Sequence, residues 1–447
     1  MLLDKNIKKQ VKVLAGVIIV IFLFPLFNYI LNGTLYLNAK SLIPFLPLAL
    51  LLVAISLEHI KHHQKKIKVF LVISTSLICV VASFNDILIP KGEVTSNKEK
   101  NYAKLVDEVT KEDKSFYRIG NQTSSSTALN KVYNIKEYKS SIYSSTQNSN
   151  YQKWLRNKQK NNQMYRNNMM TSIEGNILSE AIIGEKYIIT DKTLNDGYQL
   201  KAKKGSLKLY ENEFYLPILY ATKDNLSNQE YKNLTYPMSV IASYLNKVPE
   251  EELKLETVNL ETTESNKIET KKMTNGLFIT AKEDNKLILT PTTSLKDKVV
   301  FITFKNRFNQ RCNHTKEDQW ITINKIKNKL TCKGWKYHNQ NEIFHYVLVS
   351  PEKLEITFAP GLYELEEISI YAVEKDIFLT QKENFEELTL DRDKTKGDTI
   401  YATVNLKEEK NVVASIPYDE AFQIEVDGKE ISYQKSIQNT ITFPIEK

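Results

Sequence analysis

Two cysteines late in the chain are candidates for a disulfide bond or a metal site. Cys312 and Cys332 stand 20 positions apart. In an oxidising compartment they could form a disulfide, which would stabilise the fold by about 3 kcal/mol through loop entropy. Two free thiols are the alternative. A zinc site that adds His314 and His338 would have a ligand spacing unlike the standard sites, so no metal site is predicted.

Two acidic residues form a D-x-D pattern at Asp391 and Asp393. Such a pair holds a divalent cation on a nucleotide sugar in some glycosyltransferases. Here it lies in a polar stretch, where a solvated surface is the simpler interpretation. The sequence has no G-x-S-x-G, H-E-x-x-H or Walker A motif, so neither a hydrolase nor a nucleotide cofactor is supported, and no cofactor is predicted.

A third group of polar residues lies beside apolar stretches near the N-terminus. Asn32, Lys40 and Asp86 are predicted to face substrate at the outer membrane surface. Lys40 could contact the phosphate of a lipid headgroup. The other interpretation is that Lys40 anchors the chain by extending its ammonium group to the interface.

Three apolar runs, of which the first two contain no charged residue, would place those residues at a membrane. They cover about 13–31, 42–57 and 69–88, and each is predicted to be a transmembrane helix. Lysines precede the first run and also fill 59–68 between the second and third. The positive-inside rule then predicts a multi-pass protein of the cell membrane. Its N-terminus would be cytoplasmic, and everything after about residue 90 would be extracytoplasmic.

The charge of the 447-residue chain is concentrated at its start. The net charge is +8, and residues 1–68 contribute +7 of it through nine lysines and two acids. The remainder is close to neutral, so a nucleic-acid partner is not predicted. Near-neutrality also argues against strong long-range capture of a polyphosphate polymer. The three cysteines exclude a disulfide-dense scaffold.

The apolar spacing after residue 90, taken with the N-terminal runs, predicts an α+β protein. Three N-terminal transmembrane helices would precede a large extracytoplasmic portion. That portion would contain a small α/β unit and β-sandwich modules. Apolar spacing at Ala103, Val106 and Val109 indicates a helix, and short alternating strands dominate after about residue 250. Asp427 and Gly428 indicate a hairpin turn. The predicted domains are a transmembrane region (1–89), a linker (90–101), an α/β domain (102–245), a β-sandwich domain (246–390) and a truncated C-terminal β module (391–447).

Five segments in chain order resemble the YfhO family of bacterial membrane proteins. They are LNGTLYLNAKSLIPFLPLALLL (31–52), SFYRIGN (115–121), EAIIGEKYIIT (180–190), LYENEFYLPILYA (209–221) and VVASIPYDEAFQIEVDGKEI (412–431). Together they cover most of the chain. Ala421 and Phe422 depart from the family pattern, which has Gly-Trp there.

The resemblance implies a multi-spanning glycosyltransferase that uses a lipid-linked sugar to decorate an envelope polymer such as lipoteichoic acid. Family members are about twice as long, and in this class the catalytic carboxylate lies in the first outer loop. The corresponding loop, 32–41, contains no Asp or Glu. The chain is therefore expected to be the C-terminal part, with its catalytic residues unassigned.

The expected partners are the lipid bilayer, a polyprenyl-phosphate sugar, a teichoic-acid-type polymer and a separate polypeptide carrying the missing helices. A second functional class stays open. The chain could be a non-catalytic, membrane-anchored protein of the Gram-positive envelope that binds or scaffolds glycan.

Overall fold

The computed structural model describes two separate units of the chain, Met1–Val94 and Thr95–Lys447. The described residues are 8–31, 33, 39–59, 69, 72–77, 96–123, 131–134, 136–140, 142–143, 148–159, 169–170, 174–224, 226, 228–249, 253–307, 318–334 and 342–446.

Short helices make up the described part of the first unit. They are α1 (Lys9–Leu23), α2 (Pro25–Leu31), a 3-10 helix (Ala39–Phe45) and α3 (Leu46–His59). Pro25 divides the first apolar run because it has no N–H and forces Phe24 out of the helical region; Phe24 is extended, with φ −97° and ψ 111°. In the second run, the residues around Pro44 form the 3-10 turn, so α3 is left with 14 residues.

These interruptions overturn the prediction of three N-terminal transmembrane helices. Among the described residues, none of the helices combines the length and the apolar character that crossing a bilayer requires. A span needs about 20 apolar residues, whereas α1 has 15. Most of the third predicted span, 69–88, lies outside the described residues.

The described residues of the second unit form six further helices and twenty-four strands. The helices are α4 (Asn97–Glu112), α5 (Ser149–Asn157), α6 (Ile177–Ile182), α7 (Asn228–Asn233), α8 (Met238–Leu245) and α9 (Asp376–Glu383). The strands are β1 (Arg118–Asn121), β2 (Ile142–Tyr143), β3 (Met169–Met170), β4 (Glu185–Thr190), β5 (Tyr198–Lys204), β6 (Leu207–Asn212), β7 (Leu219–Thr222), β8 (Glu256–Thr257), β9 (Leu260–Met273), β10 (Gly276–Pro291), β11 (Lys298–Arg307), β12 (Gln319–Ile323), β13 (Ile326–Leu330), β14 (Ile343–Val349), β15 (Leu354–Phe358), β16 (Gly361–Glu374), β17 (Glu386–Glu387), β18 (Thr389–Leu390), β19 (Ala402–Thr403), β20 (Lys410–Pro417), β21 (Ile424–Val426), β22 (Lys429–Ile431), β23 (Gln434–Lys435) and β24 (Thr440–Ile445).

A four-stranded sheet, ordered β1-β4-β6-β5, holds the first strands. Strands β1 and β4 run parallel, and the other pairs are antiparallel. Ser96 is the N-cap of helix α4. Its side chain accepts a hydrogen bond from the Glu99 amide, which stabilises the start of the helix. The helix buries Leu105, Val106 and Val109 in one core with this sheet.

A nine-stranded sheet bends around a second core. Its order is β13-β12-β15-β10-β16-β11-β14, with β8 beside β16 and β9 beside β10. The two halves of β10 pair with different neighbours, β16 through Gly276–Ala281 and β15 through Leu287–Leu289. A register shift between Ala281 and Lys286 separates them. Because such a shift bends a strand, both halves of the sheet face one hydrophobic core.

A five-stranded sheet, ordered β17-β7-β20-β24-β23, joins distant parts of the sequence. Strand β7 precedes the nine-stranded sheet in the chain, and β20 follows it. Two-stranded pairs complete the second unit's described sheets: β2 with β3, β18 with β19, and β21 with β22. The described structure is therefore mostly β, and the predicted α+β class with N-terminal transmembrane helices is wrong.

Candidate functional site

The guanidinium of Arg118 joins segments that are far apart in the sequence. Arg118 opens β1, and its amide donates to the Gly184 carbonyl in the turn between α6 and β4. Its Nη1 donates to the Ile183 carbonyl at 2.6 Å, and its Nη2 donates to the Ser415 carbonyl at 2.7 Å. Both acceptors are neutral, so they fix the guanidinium in place without forming an ion pair with it.

Local backbone features bring those acceptors within reach. Gly184 has φ +79°, and a Cβ there would lie 2.8 Å from Ile218 Cγ1 and 3.4 Å from Arg118 Nη1. A larger residue would therefore be strained and would crowd the guanidinium. On the other side, the pairing of β20 with β24 shifts register between Ala414 and Pro417, so Ser415 leaves the ladder.

The amide, hydroxyl and carbonyl of Ser415 all form hydrogen bonds at the junction, the point where Arg118 links the strands around it. Its amide donates to the Ile218 carbonyl at 2.7 Å, and its hydroxyl donates to the Ile182 carbonyl at 3.0 Å. Four of the five segments that resemble the YfhO family thus meet at one hydrogen-bonded point. These are 115–121, 180–190, 209–221 and 412–431.

A cavity of about 550 Å³ opens beside this junction. Three of its lining residues are cationic: Arg118, Lys139 and Lys396. None of the described lining residues is Asp or Glu. Burial lowers the pKa of Arg118 and of Lys139, but an arginine stays protonated in proteins, so its charge remains.

Apolar and aromatic side chains form the rest of the wall. Phe116 and Tyr138 meet edge to face, with ring centroids 5.0 Å apart. Ile218 and Ile416 line the cavity beside them. Cations next to ring faces and aliphatic side chains suit a ligand with an anionic group attached to a less polar body.

Two buried carboxyl groups belong to the elements on either side of the turn that Arg118 contacts. Glu180, on α6, and Glu185, on β4, are both fully buried. Glu180 accepts hydrogen bonds from Gln122 Nε2 at 2.9 Å and from the Tyr198 hydroxyl at 2.5 Å. Glu185 accepts one from the Ser140 hydroxyl, and its Oε2 has no hydrogen-bond partner among the described residues.

Burial sets the protonation of this pair. It raises the pKa of Glu180 to about 7, against the opposing effect of its hydrogen bonds. Burial and the nearby Glu180 raise the pKa of Glu185 well above its usual value. Glu185 is the register partner of Arg118, and the two charges interact: Arg118 partly opposes the rise in the pKa of Glu185. No described carboxylate lies within ion-pair distance of the guanidinium.

The residues selected from the sequence lie elsewhere. Asn32, Asp86 and Cys312 are outside the described residues. Lys40 belongs to the 3-10 helix of the first unit, and its side chain is also outside them. Cys332 is fully buried and disulfide-bonded. Its pairing with Cys312 stays a prediction.

The structure assigns the D-x-D pair to a turn. Asp391 Oδ1 accepts hydrogen bonds from the Asp393 and Lys394 amides, each at 3.1 Å. Within the described ranges, no three His, Cys, Asp or Glu residues are grouped as metal ligands. Arg118, Glu180 and Glu185 were not selected from the sequence, although all three lie in segments that carry the resemblance. The sequence feature that could have pointed to Arg118 is its position inside the apolar strand pattern FYRI (116–119).

Comparison with known proteins defines the class. A family model described as bacterial membrane protein YfhO matches residues 2–447, so this is a bacterial membrane protein. The chain belongs to the YfhO family, as the sequence resemblance predicted. None of the curated proteins matches it. Among solved structures, a family 29 carbohydrate-binding module from Piromyces equi matches at 10% identity and a TM-score of 0.17, over 27% of this chain and 88% of the module.

Proposed function

We propose that this chain is part of an envelope glycosyltransferase of the YfhO family. In this proposal, a sugar moves from a polyprenyl-phosphate carrier to a polymer such as lipoteichoic acid, and residues 95–447 bind the acceptor. The observation that carries the proposal is the convergence of four family-like segments on Arg118 at the wall of one cavity. Family membership supports the membrane setting.

We also propose that the second unit lies outside the cytoplasm. The support is the disulfide at Cys332, because disulfides persist in oxidising compartments and are rare in the cytosol. Such a location would bring the Arg118 cavity to the side of the membrane where envelope polymers are found.

Glycosyl transfer needs a base that accepts the proton of the attacking hydroxyl. The described lining of the cavity contains cations, hydroxyls and apolar groups but no carboxylate. We therefore assign the cavity to binding, and we propose that the catalytic carboxylate comes from a separate polypeptide that carries further helices.

The same observation favours a second candidate function. A cavity without a base fits a non-catalytic, membrane-associated protein that binds envelope glycan. The two candidates differ in what happens to the polymer when the chain is removed. A transferase component is needed for the sugar substituents, whereas a binding protein changes only where the polymer is held.

The test is deletion of the gene in the source bacterium, followed by complementation with the full chain. Polymer extracted from each strain is analysed by NMR for sugar substituents on its repeating units. Loss of the substituents on deletion, and their return on complementation, is the expected result. Polymer that keeps its full sugar content in the deletion strain would overturn the transferase proposal and leave the binding protein.

A further inference from the structure

We infer that the Arg118 cavity binds a phosphate group, held by Arg118 and Lys396 beside the apolar part of the cavity wall. This inference names the ligand chemistry of the acceptor site and rests on the proposed function only for the identity of the polymer. Phosphate binding itself follows from the charges, hydrogen bonds and wall of the cavity.

The first argument is a charge balance. Arg118 is partly buried, and its two Nη atoms donate to neutral groups only. Lys396 is exposed on the cavity rim, and neither it nor Arg118 has an ion pair among the described residues. Cations that line a cavity without an ion-pair partner among the described residues would be stabilised by an anion bound there.

The second argument is the geometry of the donors. The carbonyls of Ile183 and Ser415 hold the guanidinium plane in a fixed orientation. Nε has no hydrogen-bond acceptor among the described residues, so it remains available to a ligand. A pre-oriented guanidinium suits the planar, two-point recognition that phosphate oxygens allow.

The third argument concerns the other groups at the wall. Lys139 Nζ donates to the Lys131 carbonyl at 2.7 Å, which holds a second positive charge at the cavity. Thr395 and Thr399 add hydroxyl groups to the rim. Ile400, a lining residue whose side chain is exposed, offers an apolar surface to the carbon atoms next to a phosphate. These groups together fit a phosphate ester better than a bare ion.

Equilibrium dialysis of the purified full chain in detergent tests the inference. The probes are inorganic phosphate and dimethyl phosphate, with glycerol as the uncharged comparison. We expect both phosphates to bind and glycerol not to bind. Binding of dimethyl phosphate would indicate that a polymer phosphodiester fits, and binding of inorganic phosphate alone would restrict the site to phosphate monoesters. Absence of binding by both phosphates at 10 mM or more, roughly the limit of a weak charge-assisted site, would overturn the inference.

Two neighbouring lysines supply a matched pair of variants. Lys396→Gln removes a charge from the rim and is expected to weaken phosphate binding about threefold, the usual range for an exposed charge pair. Lys394→Gln removes the same charge two positions away, where Nζ pairs with Asp391 at 3.4 Å, and should leave binding unchanged. Equal effects of the two variants would show general electrostatic attraction and would contradict the assigned site.

Arg118→Lys tests the guanidinium itself. It keeps the charge but loses the two-point geometry, and we expect about a tenfold loss of phosphate binding. A thermal melt shows whether Arg118→Lys folds. If Arg118→Lys does not fold, phosphate binding by Lys396→Gln tests the site. Phosphate binding by the purified chain, together with normal polymer glycosylation in the deletion strain, would overturn the proposed function and leave the phosphate site in place.

Discussion

Arg118 Nη2 and the Ser415 carbonyl oxygen are 2.7 Å apart, although 297 positions separate the two residues in the chain. This hydrogen bond ties the four-stranded sheet to the five-stranded sheet at the edge of the candidate site. One residue thus serves both the assembly of the second unit and the cavity wall. Four predictions follow from this region and from the disulfide.

Replacing Arg118 by Ala should destabilise the second unit by about 2–4 kcal/mol. The change leaves the Ile183 and Ser415 carbonyls without their charged donor, and unpaired buried acceptors are costly. Urea unfolding of the purified full chain, followed by tryptophan fluorescence, measures the loss. The buried Trp154 reports on this unit.

Arg307→Ala is the matched control for that measurement. Arg307 pairs with Glu366 at 2.6 Å but is about half exposed. Its removal should cost less than about 1 kcal/mol, as for other exposed ion pairs. Equal losses for the two arginines would show that Arg118 is not a junction of the fold.

The stability of the second unit should fall as pH rises from about 4.5 to 7. Burial raises the pKa of Glu180 to about 7 in the folded state, so the folded state retains a proton that the unfolded chain has already released. Retaining that proton costs free energy progressively across this window. Melting temperatures at half-unit pH steps, for wild type and for Glu180→Gln, measure the slope.

Glu180→Gln should reduce the slope of this pH dependence because glutamine does not titrate, and the raised pKa of Glu185 should leave a residual slope of the same sign. Glu269→Gln is the control, since Glu269 is an exposed carboxylate that pairs with Lys282 at 3.2 Å. It should leave the slope unchanged. A slope in Glu180→Gln equal to that of wild type would assign the pH dependence to another group.

Cys332 should be linked to Cys312. Peptide mapping of unreduced protein by mass spectrometry should recover one peptide that joins the two cysteines. Cys332→Ser should then destabilise the unit by about 2–5 kcal/mol, as loss of a native disulfide does. A linkage from Cys332 to Cys79 would contradict the sequence-based pairing.

Gly120→Ala should destabilise the unit by about 1–3 kcal/mol through overpacking. A Cβ at Gly120 would lie 2.7 Å from Ile188 Cδ1 and 2.9 Å from Glu185 Oε2, all within the buried face of the sheet. Urea unfolding measures the loss. Ile188→Val removes the first of these atoms and gives a rescue variant.

The double variant Gly120→Ala with Ile188→Val should lose less than the sum of the two single variants, because the two changes share one contact. Strict additivity would show that the space around Gly120 relaxes without involving Ile188.

Local elements follow from the sequence without tertiary information. The helix that Ala103, Val106 and Val109 indicate is observed as α4, Asn97–Glu112. The hairpin turn at Asp427 and Gly428 is confirmed by β21 and β22, with φ of 50° and 78° at the two turn residues. Among the short alternating strands predicted after about residue 250 is β15, in which Leu354, Ile356 and Phe358 are buried in alternation. Each of these depends on neighbouring residues alone, so period and turn chemistry suffice.

Hydropathy predicted the N-terminal region wrongly because the criterion of run length ignored backbone hydrogen bonding. The apolar run at 13–31 is long enough to span a bilayer, but Pro25 ends α1 after Leu23. The composition of this region correctly showed that it is apolar. Composition alone did not show that α1 would end before Pro25.

The candidate site depends on contacts between residues that are far apart in the chain. The sequence showed Arg118 as one arginine in a strand, and it showed Ser415 as one serine in another. Their contact depends on the register shift in β20, the left-handed turn at Gly184 and the return of the chain after the nine-stranded sheet. Burial of Glu180 and Glu185, which sets their pKa values, depends on the same packing. These are long-range relationships, and local periodicity contains no information about them.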